Sequence, residues 1–458
     1  MNSSLASILE SIKLRLSPAV AMLLLAAYLL CLAPFLSDQW LSGSLWVAVL
    51  IAILIAGGLL LRIYRRSGPI LCVLIFMFTY YLAPLPYFLW DIPIVPYLDN
   101  VSTVYFLRTW AVMAVFLVWL ALFSALTQQE QPVGSVALPA PSLIRVRSIG
   151  TFGTLYWFVV AAFIVLTFRG EAIVNVSGQD NYDIYISNLK SQSGALEYFL
   201  VLIVIGRVIS VTWFQRACYA ACIGYYFYFC FTRGYRVQLL EMTLLVTALH
   251  FAHWMSFRNV LLGSIVGFML LQALGFMKSG ASDLQSLFTV MAGDQVRSNQ
   301  TEVFYTSNNV LNAVFDGQIP WFERATSLWL AMLASFLPGN WLPENWHSTL
   351  AAQDLTQLPG GGGGFIAGHY YFWGGHFGVM IAGLLIACLF RLYERARSQR
   401  MMLLSILLLA TCPRWVAYEP IAMFFRLGLY FMIAHEVMRF IPGTWRKGKQ
   451  VVPATSGA

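Results

Sequence analysis

Long, uninterrupted apolar runs limit this chain more than any other feature. Twelve stretches (17–36, 43–62, 69–90, 105–126, 149–168, 194–213, 216–232, 237–256, 259–277, 367–390, 401–418 and 421–440) approach or exceed what a helix needs. A helix takes about 20 residues to cross a hydrocarbon layer of about 30 Å. The runs are continuously apolar rather than alternating, which excludes a closed β-barrel. Composition agrees: 59% of the 458 residues are apolar and 10% are charged, against about 45–50% and about 25% in a soluble domain. A cytosolic enzyme, a disordered chain and a secreted disulfide scaffold are all excluded by that shortage of charge. The expected fold is all-α, a polytopic membrane bundle of about 12 transmembrane helices.

The net charge of +8 acquires meaning once its residues are placed along the chain. Lys13 and Arg15 precede the first run, and Arg62, Arg65 and Arg66 follow the second. Arg145, Arg147, Arg216, Arg258, the series Arg391, Arg395, Arg397 and Arg400, and then Arg439, Arg446, Lys447 and Lys449 fall on that same side if the chain alternates across the bilayer. Basic residues collect in short cytoplasmic loops, so both termini are expected in the cytoplasm. No Lys/Arg-rich cluster stands on a soluble domain, so nucleic acid is not an expected partner. The plan is nine spans within 1–277, a long outer loop over 278–366, three spans in 367–440 and a cytoplasmic tail, 441–458. The first run begins as a signal peptide does, but its length and the absence of a small-residue cleavage site point to a retained anchor.

A loop of nearly ninety residues in a tightly connected bundle is expected to be functional. It carries Trp321, Trp329, Trp341 and Trp346, and within it Thr326 to Leu337 is an apolar run too short to span, ending at Pro338-Gly339. That run reads as an interfacial or re-entrant helix.

Arginines on the outer side run against the positive-inside tendency. Arg233 and Arg236 lie in Phe231-Thr-Arg-Gly-Tyr-Arg236, Arg297 and Arg324 in the long loop, Arg414 at the start of the last outer hairpin, and Arg426 one to two turns inside the final run. Each alone reads equally well as a partner of a nearby acid, as Arg426 with Glu419, or as a side chain reaching the interface. Six around one face favour a shared anion, since guanidinium binds phosphate bidentately. A lipid-linked diphosphate would suit them.

Other candidates are weaker. Gly362 is the centre of five glycines, Gly360 to Gly364, which lack the Lys-Ser/Thr ending of a nucleotide loop and read as a hinge or close-approach site. His347 and His369 are candidate general bases, although a lone histidine is more often structural. Trp321 and Trp346 have the chemistry to stack on sugar rings, with interfacial anchoring as the commoner role. No Asp-x-Asp occurs, and Cys218 and Cys222 have no His or acid beside them, so neither a metal nor another cofactor is expected.

The order of these pieces resembles a known family. Thr232-Arg233-Gly234, Asp294-Gln-Val-Arg297, Phe322-Glu-Arg324 followed by an apolar helix and Phe336-Leu-Pro-Gly339, the Gly-rich entry to the tenth run, and Arg414 twelve residues before Arg426 resemble the Wzy-type polymerases of O-antigen and related surface polysaccharides. The chain looks particularly like the enterobacterial common antigen polymerase branch. The resemblance covers about 230–440 and the hydropathy plan. It implies a glycosyltransferase of the bacterial inner membrane, working at the periplasmic face on undecaprenyl-diphosphate-linked oligosaccharide. On this reading Arg233, Arg297, Arg324, Arg414, His347 and His369 would be catalytic, and Arg236, Arg426, Glu419, Trp321, Trp346 and Gly362 would bind substrate. Membrane lipids, a chain-length regulator and a flippase of the same pathway are the implied partners.

Two other readings compete. An O-antigen ligase shares the many-span plan and the long loop. A non-enzymatic flippase would show internal repeats and a cation-lined central path, and the sequence has no repeat. On the polymerase reading, alanine at Arg233, Arg297 or Arg414 abolishes long chains.

Overall fold

The structure, a computed structural model, describes residues 17–36, 42–90, 103–127, 151–168, 196–278, 299–336, 363–396, 398–418 and 422–440. Among these residues the regular structure is entirely helical, and every one of the twelve apolar runs forms helix. In order they are α1 (Pro18–Leu36), α2 (Ser42–Tyr64), α3 (Gly68–Tyr81), α4 (Leu85–Trp90), α5 (Thr103–Thr127), α6 (Thr151–Phe168), α7 (196–209), α8 (Trp213–Thr232), α9 (Arg236–His250) and α10 (Phe257–Lys278). Then come α11 (Asn299–Phe315), α12 (Trp321–Phe336), α13 (Ile366–Glu394), α14 (Gln399–Ala410), α15 (Cys412–Ala417) and α16 (Ala422–Phe440). Five are long and apolar enough to cross a membrane, with α3 and α4 counting together as one. The chain is a helical membrane protein.

The centre of the bundle is α5, 72% buried along its apolar window and covered on all sides, as a core helix without an amphipathic stripe must be. α1, α2 and α13 pack around it. Helices within lipid gain little from apolar burial, so small residues that allow close approach matter more. Gly383 of α13 is such a contact: a Cβ there would lie 2.9 Å from the Trp119 Cβ of α5. The outward faces of the peripheral helices are apolar, with Met22, Leu166 and Met269 each more than 60% exposed, which is a lipid-facing surface.

Two expected spans are broken at proline. The run 69–90 splits after Tyr81, where Pro84 and Pro86 end the ladder, and the run 401–418 splits before Pro413. Both breaks free carbonyls inside the bundle, and a tryptophan meets one at each. Trp110 Nε1 donates to the Tyr81 carbonyl at 2.8 Å, and Trp415 Nε1 donates to the Leu408 carbonyl at 2.8 Å.

The segment 278–366, expected as an outer loop, contains a helix built into the bundle. α11 buries Val303, Phe304, Asn308 and Leu311 against α3, α5 and α13. Phe304 meets Phe106, Asn308 accepts a 3.0 Å bond from Thr109 Oγ1, and Phe315 meets Tyr105. Residues 304–315 extend over roughly 16 Å of helix, while residues 105–109 cover roughly 6 Å. α11 therefore lies across α5 and roofs that end of the bundle. α12 is the expected short amphipathic helix, but it begins at Trp321 rather than Thr326. It exposes Trp321, Phe322 and Trp329 at 64–75% and faces α13 and α16 with its other side.

Candidate functional site

The turn joining α8 to α9 sets the position of two arginines. The Gly234 N–H bonds to the Phe231 carbonyl and the Tyr235 N–H to the Cys230 carbonyl, with Gly234 at φ 70° and the Phe229 and Tyr235 rings stacked at 6.0 Å. This is a Schellman cap, which needs a left-handed residue and carries just such an apolar contact. Thr232-Arg233-Gly234 is thus explained as a helix terminus. Arg233 folds back on its own helix: Nη1 donates to Thr232 Oγ1 at 3.0 Å, and the guanidinium lies 4.1 Å from the Phe229 ring centre. Arg236, one turn further, forms no ion pair or side-chain hydrogen bond among the described residues.

Arg236 stands at one end of a cavity of about 580 Å³ between α3, α9 and α10. Gln300, Pro413 and Tyr418 surround the same end, while Trp254, Met255 and Val260 close the far one. Its walls are mainly apolar, and Arg236 is the single charged residue among those lining it.

Pro413 and Tyr418 reach this mouth because α15 is held from behind. Arg414 is 8% exposed, so the expected solvent-facing hairpin start is corrected to a buried position. Its Nε donates to Glu197 Oε1 of α7 at 2.6 Å, with Glu197 3% exposed. Glu241 of α9 is fully buried, and both carboxylates act electrostatically on Tyr226 between them. A short loop then ties α13 to α15, as the Gly364 N–H donates to the Ala417 carbonyl at 3.0 Å. Gly363 has φ 83°, and a Cβ there would collide with Ala417 and Tyr418, so Gly363 makes a close backbone approach.

His369 lies directly behind that loop. It is 4% exposed, a Cβ on Gly364 would sit 2.9 Å from its Nε2, and Nε2 has no hydrogen-bond partner among the described residues. Ser307 of α11 accepts from the Phe365 N–H at 2.8 Å on the same side. The loop, α11 and α15 thus meet beside the Arg236 mouth.

Arg324 takes a different role. Its Nη1 donates to the Phe372 carbonyl at 3.2 Å, three residues before a break in α13 at Gly375. Burial draws its pKa down, and the neighbouring Tyr371 phenol opposes that shift. Arg426 of α16 is half-buried and acts electrostatically on Tyr198. Trp321 is exposed at the start of α12.

Of the residues proposed from sequence, Arg236, Arg414 and His369 gather at one end of the bundle, with Gly363 and Gly364 of the glycine run beside them. Arg233 bonds to Thr232 and Arg324 to the Phe372 carbonyl. Arg297, His347, Trp346, Gly362 and Glu419 lie outside the described residues. Sequence reasoning missed Glu197 and Glu241, although a carboxylate inside an apolar run is itself a marker of function. Among the described residues no three His, Cys, Asp or Glu side chains gather to hold a metal ion. Comparison with protein families, curated proteins and solved structures returns no match.

Proposed function

We propose that this chain is a membrane glycosyltransferase that polymerises undecaprenyl-diphosphate-linked oligosaccharide, with twelve spans, cytoplasmic termini and its working end in the periplasm of the bacterial inner membrane. The observation that carries the reading is Arg236, an arginine with no ion-pair partner among the described residues, at the mouth of an apolar cavity. A lipid with an anionic head has a charge for the arginine and a hydrocarbon chain for the walls. The acceptor hydroxyl oxygen attacks the anomeric carbon of the donor glycan, and the bond to the carrier diphosphate breaks with its electron pair. The hydroxyl proton passes to a base, for which His369 is the described candidate and His347 the other. Arginine stabilises the charge gathering on the departing diphosphate, an electrostatic form of catalysis.

Deleting the gene and separating the host's surface lipopolysaccharide by size tests this. Core carrying a single repeat is the expected product. Core alone would identify a ligase or a flippase instead, and undiminished long chains would overturn the glycan assignment altogether.

A further inference from the structure

The geometry points to the cavity between α3, α9 and α10 as the seat of one isoprenoid tail, entered from its Arg236 end and set in width by Gly263 and Gly267. This rests on the reading of an anionic lipid substrate and says where that lipid sits. Paired small residues four apart normally let two helices touch closely. Here they do not: a Cβ added at Gly263 or Gly267 would meet nothing within 4 Å, and both line the cavity. The inner end of α10 is fixed, since Val260 packs with Leu71 and Met255 in a cluster of its own. Beyond that anchor, α10 stands off from α9 and leaves a gap where a helix contact would be expected.

The cavity is open along part of its wall, and clefts of this volume accommodate ligand-sized groups. Three observations select the occupant. The lone charge sits at one end, which asks for a single anionic head. At roughly 30 Å³ per water-sized group the space takes about 20 such groups, the size of one chain's first four isoprene units. α9 is about 22 Å long, so the space follows a chain and not a compact solute. The remainder of a longer carrier continues past α10 into the bilayer, where Leu262, Met269 and Leu270 already present a lipid-facing surface.

The test uses the full-length protein in nanodiscs with two photoactivatable probes. One is undecaprenyl diphosphate with a diazirine in its first isoprene units, and the other is phosphatidylglycerol with a diazirine on an acyl chain. The isoprenoid probe should label peptides of α9 and α10, compete with unlabelled undecaprenyl diphosphate, and lose at least tenfold in Gly267→Leu and in Arg236→Gln. Met22→Leu, on the lipid face of α1, should label normally. Thr243→Leu narrows the same space from α9 and serves if Gly267→Leu accumulates poorly. Equal labelling of those peptides by both probes, or labelling insensitive to both narrowing variants, overturns the proposal. Site-specific labelling in a protein whose deletion spares long glycan chains would remove the polymerase reading alone and leave the tail site standing.

Discussion

Glu197 and Arg414 stand 217 residues apart in the chain and meet at 2.6 Å, the carboxylate 3% and the guanidinium 10% exposed in their side chains. Removing one partner from such a pair strands a buried charge and costs about 3–5 kcal/mol. Glu197→Gln and Arg414→Ala should therefore both lower the amount of folded protein in the membrane, measured by thermal unfolding in detergent. The exchange Glu197→Arg with Arg414→Glu should recover part of the loss. Arg414→Ala accumulating at normal levels and melting normally would show that the pair does not hold α15. The loss of product first expected of Arg414→Ala thus acquires a structural cause.

Arg236 is expected to behave oppositely. Its guanidinium makes no ion pair among the described residues, so Arg236→Gln should leave melting unchanged. Losing a charge-assisted bond to a phosphate is worth about 1.5–3 kcal/mol, which corresponds to a fall of roughly tenfold or more in long-chain glycan. Arg233→Gln forfeits one 3.0 Å bond to Thr232 and a ring contact and should cost product far less. Comparing glycan length in the two variants at equal membrane levels decides the ranking, and equal losses would refute it.

The proline breaks offer a test of packing. Trp110→Phe and Trp415→Phe preserve most of the ring volume but leave the carbonyls of Tyr81 and Leu408 without their indole donors. Each should destabilise the protein by about 1 kcal/mol, in the range of buried hydrogen bonds within bilayers. Two lowered melting temperatures are the expected result. Trp415→Phe should fall less, because the Leu408 carbonyl keeps its 3.1 Å bond from Thr411 Oγ1. An unchanged Trp110→Phe would mean that another group satisfies the Tyr81 carbonyl.

Gly234→Ala places a Cβ at φ 70° and should cost about 1–2 kcal/mol. Gly234→Asn, which tolerates the left-handed region better, should cost less than alanine does. The order of the two melting temperatures is the readout, and alanine outranking asparagine would contradict the cap.

Helices were legible because apolar runs of membrane length leave the backbone few alternatives, and even the breaks at Pro84 and Pro413 stood in the sequence. α11 was not legible. Its Asn308, Asn309, Thr306 and Ser307 lower its hydropathy, yet Thr109 and the Phe365 N–H satisfy two of those polar groups, which admits the helix to the bundle. The arginines were legible as residues but not as contacts. Whether a guanidinium faces a ligand or a carboxylate depends on which helix packs opposite, and Glu197 is brought to Arg414 by the packing of α7 and not by local sequence.

The burial of α5 on every side also bears on how the chain is made. Its closest neighbour, α13, lies far downstream, and translation from Thr127 to Ile366 takes roughly 10–50 s at about 5–20 residues per second. During that interval Phe106 and Thr109 wait without α11 beside them, and the backbone approach at Trp119 waits for Gly383 of α13. An insertase or chaperone that shields a half-finished bundle would find its client here. Ribosome stalling between the two helices should expose α5 to crosslinking from the bilayer, in a window that closes when α13 arrives.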